Sequence, residues 1–221
     1  MPDDNRLLAE SLYEQFSRIG KALASPKRLE LLYMLGQGER SVEALAKATD
    51  SPVANISQHL QVLRRARLVE TRRTGARIWY RLAGPAVSNL VVSLQAVAEQ
   101  RLAEVGQIAR TFLNDADALE PVDREELLRR VRDGSVTVLD VRPHTEYGEG
   151  RLPRALSVPL EELTARLAEV PRNREVVAYC RGPYCVLALK AVEILRANGY
   201  RALRLDLGVV EWRSRGWQLE I

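Results

Sequence analysis

Apolar residues at Leu7, Leu8, Leu12, Phe16, Ile19 and Leu23 recur at helical spacing and predict a first helix that stops before Ser25-Pro26. A second apolar face, Leu29, Leu32, Tyr33 and Leu35, ends at Gly36-Gln37-Gly38, where positive φ is tolerated. Ser41 then caps a short helix that turns Val42, Leu45 and Ala46 inward. Ser51-Pro52 reads as an N-cap with proline in the first turn, opening a helix from Val53 to about Ala66 whose inner stripe is Val53, Ile56, Leu60 and Leu63. The period then changes. Leu68–Arg73 and Ala76–Leu82 are rich in β-formers and flank the turn Thr74-Gly75, which predicts a hairpin. The order of elements is a helix-turn-helix followed by a wing.

From Pro85 onward Val87, Leu90, Val91, Leu94, Val97, Leu102, Val105, Ile108 and Phe112 keep helical spacing over roughly 40 Å at about 1.5 Å per residue. So long a stripe needs a partner, and the same helix of a second subunit, with the first helix, supplies one: the chain is expected to form a homodimer. Asn114-Asp115-Ala116-Asp117 and Glu120-Pro121-Val122 read as a polar linker, which divides the chain into residues 1–116 and 117–221. Past it, β-rich runs at Val136–Val141, Ala155–Val158, Glu175–Tyr179 and Arg201–Leu205 alternate with helical ones at about 123–133, 160–169 and 186–198. That alternation predicts an α/β domain with a mostly parallel sheet. The fold class is thus two domains, a mainly α winged helix-turn-helix with a long dimerisation helix and an α/β domain after it.

Composition agrees with two globular domains: 221 residues, 46% hydrophobic and 28% charged. No apolar run approaches the roughly 18–20 residues that span a bilayer, so no membrane partner is expected. Met1-Pro2-Asp3-Asp4-Asn5 is polar and leads into an amphipathic helix without a signal-peptide h-region, which suggests a cytoplasmic location. Two cysteines, Cys180 and Cys185, are too few for the framework of a small secreted domain. Lys and Arg exceed Asp and Glu by four over residues 1–115 and balance them over 116–221. The excess is concentrated further: within 51–82, Arg64, Arg65, Arg67, Arg72, Arg73, Arg77 and Arg81 face Glu70 alone. Such a field marks either a polyanion-binding face or a solvated helix face.

A recognition helix needs polar side chains that reach base edges and an apolar stripe that locks it to its scaffold. Val53 to Leu63 has both, with Asn55, Ser57, Gln58, His59 and Gln61 outward, Arg64 beyond them, and Arg72, Arg73 and Arg77 flanking the hairpin tip, where a wing meets phosphate or the minor groove. The runs Ala24–Leu32, Asn55–Leu63 and Gly75–Leu82 closely resemble the ArsR family of winged-helix repressors, over residues from about 7 to 113. The resemblance implies double-stranded operator DNA as partner. Many members sense metals through cysteines on the third helix or histidines on the dimer helices. Here the third helix has no cysteine and the long helix no histidine, so no metal or other cofactor is expected. His59 alone reads as a DNA-facing or capping group.

In the second half, Cys180 follows the strand Val176–Tyr179, and a helix begins after the loop Arg181-Gly182-Pro183-Tyr184-Cys185. Loop amides and a helix N-terminus favour thiolate, and Arg181 adds charge; a buried structural cysteine is the alternative, disfavoured because a Gly-Pro loop is an exposed place. Leu139-Asp140-Val141-Arg142-Pro143 with Glu146-Tyr147, Gly150–Ala155 with Pro159, and Tyr179-Cys180-Arg181-Gly182 resemble the rhodanese family, over residues from about 122 to 219. The resemblance implies a persulfide on Cys180, taken from a donor such as thiosulfate or polysulfide and passed to a thiol, with Asp140, Arg142 and Glu146 organising the loop. Its six-residue loop goes with sulfane sulfur rather than tetrahedral oxyanions. Gly150-Arg151-Leu152-Pro153-Arg154 departs from the family's usual Gly-His-Ile-Pro-Gly. Cys185 closes the loop where an arginine or small polar residue is common; it either attacks a persulfide on Cys180 or fills space at the helix start. Two functions follow for the whole chain: a transcriptional regulator that senses reactive sulfur, or a rhodanese-type sulfurtransferase enzyme whose winged helix serves dimerisation or localisation.

Overall fold

The computed structural model describes residues 2–113, 119–120 and 124–221, so the linker expected at 114–117 and 120–122 lies largely outside the described residues. The chain packs as two compact units, residues 1–91 and 92–221.

The first unit contains α1 (Pro2–Leu23), α2 (Pro26–Gly36), β1 (Arg40–Ser41), α3 (Val42–Ala48), α4 (Val53–Arg65), β2 (Val69–Thr74) and β3 (Arg77–Leu82). Leu31, Leu32 and Leu35 from α2, Leu45 from α3, and Ile56, Leu60 and Leu63 from α4 are fully or almost fully buried in one core, which Leu68, Val69 and Tyr80 extend beneath the hairpin. The inner stripe read for α4 holds except at Val53, which is 45% exposed. As the first residue of the helix, Val53 lies past the edge of the core. Ser41 caps α3 as expected, accepting from the Ala44 N–H at 3.3 Å. Ser51 does not cap α4: its hydroxyl donates to the Thr49 carbonyl, and the Pro52 carbonyl accepts the amides of Asn55 and Ile56. The hairpin turn is Gly75-Ala76, with Thr74 opposite Arg77, and β1 adds a third antiparallel strand on the far side of β3.

The stripe from Pro85 is helical but not continuous. It forms α5 (Pro85–Arg101) and α6 (Ala103–Leu113), separated at Leu102, where the Val105 amide bonds the Leu102 carbonyl in a tight turn. No proline or glycine marks the break in the sequence.

The remaining elements are β4 (Leu119–Glu120), α7 (Arg124–Arg132), β5 (Val136–Asp140), α8 (His144–Glu149), β6 (Leu156–Ser157), α9 (Leu160–Leu163), β7 (Glu175–Tyr179), α10 (Val186–Ala197), β8 (Ala202–Leu205) and α11 (Val209–Ser214). The helix expected over 160–169 is α9 plus a separate 3-10 turn at Leu167–Glu169. The strands form one parallel sheet in the order β4-β8-β7-β5-β6. Alternation along each strand sends successive side chains to opposite cores. Val136, Val138, Val177 and Tyr179 join Trp212 on one face, while Leu139, Val141, Val176 and Ala178 join Ala188, Val192 and Leu195 of α10 on the other. Among the described residues no helix is long and apolar enough to cross a membrane.

Candidate functional site

On the winged unit, α4 presents Asn55, Gln58, Gln61 and Arg64 to solvent, with Ser57 and His59 half-buried beside them. The apolar positions that hold the helix leave these side chains on the opposite face, as a 3.6-residue period requires. The wing arginines differ from one another. Arg72 is tied down, its guanidinium paired with Glu39 and donating to Thr74 Oγ1 at 2.7 Å. Arg73 donates from Nε to the Gly75 carbonyl at 3.1 Å and stays exposed at the tip, and Arg77, opposite Thr74 on the other strand, is exposed as well. Glu43, at the start of α3, has its carboxyl held below the usual range, first by the Ser41 hydroxyl and further by the Arg77 charge.

The second unit gathers its polar residues at the carboxyl ends of parallel strands, where open α/β sheets place their sites. Asp140 ends β5, Cys180 follows β7, and Asp206 to Gly208 follow β8. Cys180 continues the period-two alternation of Val176 and Ala178, so it faces α10 and is only 1% exposed. This corrects the expectation that the loop position exposes the thiol: its exposed part is Tyr184, and the sulfur lies at its floor. Cys180 and Cys185 are joined as a disulfide with their Cα atoms 6.2 Å apart, and Cys185 is the N-cap residue of α10.

Arg181 lies with its guanidinium on Glu146, Nη2 to Oε1 at 2.7 Å and Nε to Oε2 at 3.0 Å. Glu146 is 2% exposed, so the charge that Arg181 brings to the loop is matched at contact distance by a buried carboxylate. Asp140 and Arg142 form a second pair, both fully buried. Arg142 donates to both Asp140 oxygens and to the Gly150 carbonyl at 2.8 Å, tying β5 to the loop after α8. Burial opposes the Arg142 charge, but the Asp140 hydrogen bond and charge outweigh it and raise its pKa. The Tyr179 hydroxyl donates to Asp140 Oδ2 and accepts from the Leu152 amide, while burial and then the Asp140 charge push its pKa well up, so it stays a neutral donor.

Three supports of the loop were not read from the sequence. Arg204, a buried cation on β8, donates from Nη1 to the Pro183 carbonyl at 2.8 Å. Gly208 packs so closely that a Cβ there would stand 2.1 Å from the Arg181 carbonyl oxygen. Tyr184 donates its hydroxyl to Glu99 Oε1 of α5 at 2.5 Å, and burial followed by that bond raises its pKa. The first two carry a sequence signal, a lone cation inside an apolar strand and a glycine between strand and helix; the third carries none. Beside Tyr184 lies a cavity of about 390 Å³ lined by Val92, Glu99, Leu113, Tyr184 and Asp206 among others. Asp206 Oδ1 is buried there without a hydrogen-bond partner among the described residues, and burial raises the carboxyl's pKa.

Comparison with known proteins follows the same division. Residues 25–71 match the model of the bacterial regulatory protein, arsR family, and residues 123–215 match that of the rhodanese-like domain. The chain is 47% identical over 206 residues to the HTH-type transcriptional regulator Rv0324 of Mycobacterium tuberculosis, covering 93% of this chain and 90% of that one. It is 34% identical over 97 residues to a sulfurtransferase of Allochromatium vinosum, 43% of this chain and 89% of that one. A solved homodimeric winged helix-turn-helix fragment of Mb0332 from Mycobacterium bovis is 46% identical, covers 42% of this chain and 86% of that one, and aligns with a TM-score of 0.41.

Proposed function

Because the chain belongs to the HTH-type transcriptional regulators, with an ArsR-family winged helix joined to a rhodanese-like domain, we propose that its second unit makes it a sensor of reactive sulfur. Cys180 is the sulfur acceptor. Its thiolate attacks the outer sulfur of a sulfane donor, the donor's S–S bond breaks, the donor leaves as an anion, and Cys180 carries a persulfide. The Cys185 thiolate then attacks Cys180 Sγ and expels hydrosulfide. Two cysteine sulfurs are oxidised and the sulfane sulfur is reduced to sulfide, and the product is a Cys180–Cys185 disulfide of the kind present in the structure. In this reading the Asp140–Arg142 and Glu146–Arg181 pairs organise the loop.

The observation that carries the sensing reading is the place of Tyr184. It adjoins Cys185, one partner of the disulfide, and its hydroxyl holds Glu99 on α5. The same helix begins with Val87 and Val91 buried in the winged core. In this reading a change at the thiol pair is passed to α5 through Tyr184, and α5 is continuous in the chain with the winged unit.

On the first unit, Asn55, Ser57, Gln58, His59 and Gln61 read bases, and Arg64, Arg72, Arg73 and Arg77 supply phosphate or minor-groove contacts. The DNA-binding form is a homodimer. Leu7, Leu8, Leu12 and Phe16 of α1 and Leu94, Val97, Ile108 and Phe112 of α5 and α6 are exposed, more apolar helix surface than a soluble monomer ordinarily leaves in water.

The test compares operator affinity across loop states, using a duplex that the reduced full-length protein selects from a random pool. Reduced, persulfidated and disulfide forms are expected to differ in affinity, since an effector with equal affinity for two states shifts nothing. Cys180→Ser should abolish sulfur uptake with DNA affinity intact, and Cys185→Ser should let the persulfide accumulate. Equal affinity in all forms would replace this reading with that of a tethered sulfurtransferase, which the similarity to the Allochromatium protein favours.

A further inference from the structure

The donor that such a loop accepts follows from its charge. Residues 180–185 are Cys-Arg-Gly-Pro-Tyr-Cys, so Arg181 is the single charged side chain in the loop, and Glu146 holds its guanidinium at 2.7 and 3.0 Å. The last position, next to the helix start, is a thiol rather than a cation. Backbone donors are short as well. Pro183 has no N–H, and the Cys185 amide is committed to the Gly182 carbonyl at 3.1 Å, so two of the six loop positions offer no amide to an anion. The floor is apolar: Cys180 packs in the core formed with Val141, Val158, Ala188 and Val192.

These conditions separate two classes of sulfane donor. With thiosulfate, thiolate and dianion together bring three negative charges to the loop, and the sulfane sulfur leaves a sulfite dianion behind. A hydropersulfide is at most a monoanion, so thiolate and donor together bring one or two charges; the S–S bond breaks, Cys180 keeps the outer sulfur, and the departing thiolate leaves with a single charge. With Arg181 held by Glu146 and Arg204 held on the Pro183 carbonyl, bringing three negative charges against an apolar floor is strongly unfavourable, whereas the smaller charge of a hydropersulfide matches the few amides and the helix N-terminus available. Resting on the persulfide reading above, we propose that the loop takes sulfur from hydropersulfides and polysulfides bearing little charge and discriminates against thiosulfate, with the Glu146–Arg181 pair and Cys185 as the specificity-determining residues.

The test uses the reduced full chain carrying Cys185→Ser, in which the persulfide has no internal thiol to attack it. Equal concentrations of cysteine hydropersulfide and thiosulfate are supplied, and the rate of gaining one sulfur atom is followed by intact mass. Hydropersulfide should load Cys180 at least about tenfold faster. Glu146→Gln in the same background releases the Arg181 charge, and Cys185→Arg places a cation at the partly exposed helix start. Each should raise the thiosulfate rate relative to the hydropersulfide rate by about tenfold. Cys185→Arg keeps the question answerable if the buried Glu146 substitution unfolds the domain. Equal loading by the two donors, or an unmoved ratio in the folded variants, overturns the donor assignment and leaves the persulfide reading standing. No loading from either donor overturns both.

Discussion

Gly208→Ala isolates one loop support, the close approach of the β8–α11 connection to the sulfur loop. An added Cβ would stand 2.1 Å from the Arg181 carbonyl oxygen, 2.2 Å from its carbon and 2.7 Å from the Gly182 nitrogen. All three are backbone atoms, so no side chain can swing aside. Restoring an ordinary separation of roughly 3.4 Å or more requires the β8–α11 connection or the sulfur loop to move by more than about 1 Å. Overpacking of this severity costs about 1–3 kcal/mol, a fall in melting temperature of several degrees for a domain near 100 residues. The displaced segment carries Arg181 and adjoins Cys180, so alkylation of the reduced Cys180 thiol, measured with Cys185→Ser in the background, should change its rate severalfold. Gly148→Ala is the control. It lies in α8 of the same unit with nothing within 4 Å of the added carbon, and should stabilise by about 0.5–1 kcal/mol through helix propensity. Both variants are compared by thermal unfolding and by timed labelling. If Gly208→Ala melts no lower than the parent and labels at the parent rate, the close approach of the two loops does not hold the site.

Three further outcomes are expected. Replacing Arg73 and Arg77 by Ala should weaken DNA binding and flatten its dependence on salt by about one unit of log–log slope for each phosphate that is no longer neutralised, as read by titration at several ionic strengths; an unchanged slope removes the wing from the interface. Leu94→Asp puts an unpaired carboxylate on the exposed stripe of α5, and burying one in each copy costs several kcal/mol, so sedimentation should show a self-association constant weakened more than about a hundredfold; a wild-type chain that is monomeric at micromolar concentration contradicts the dimer. Asp206 has its carboxyl pKa raised by burial, so the folded state disfavours its charged form. The resulting destabilisation is absent below the ordinary carboxylate value and grows as pH rises through the raised one. Asp206→Asn should therefore raise the melting temperature at neutral pH and lose that advantage on acidification, and a gain independent of pH would refute the assignment.

What the sequence determined by itself about this protein is what depends on near neighbours. The stripes of α2 and α4, the hairpin and the alternating strands were legible because helix and strand periods are properties of a few consecutive residues. Even the depth of Cys180 was implicit, since Val176, Ala178 and Cys180 fall on one face of the strand register, although the Gly-Pro loop after it suggested exposure instead. Ser51 and Leu102 show where local signals give out: a capping residue competed with another nearby carbonyl, and a helix broke at a leucine. The site belongs to the tertiary structure. Glu146 meets Arg181 across 35 positions and Arg204 meets Pro183 across 21, because parallel strands bring their carboxyl ends together only after each helical crossover has returned the chain to the same edge. Charge was therefore visible as a count along the chain. Whether a given charge was free to act on the reactive sulfur, or already held by a buried partner, was decided only when the sheet assembled.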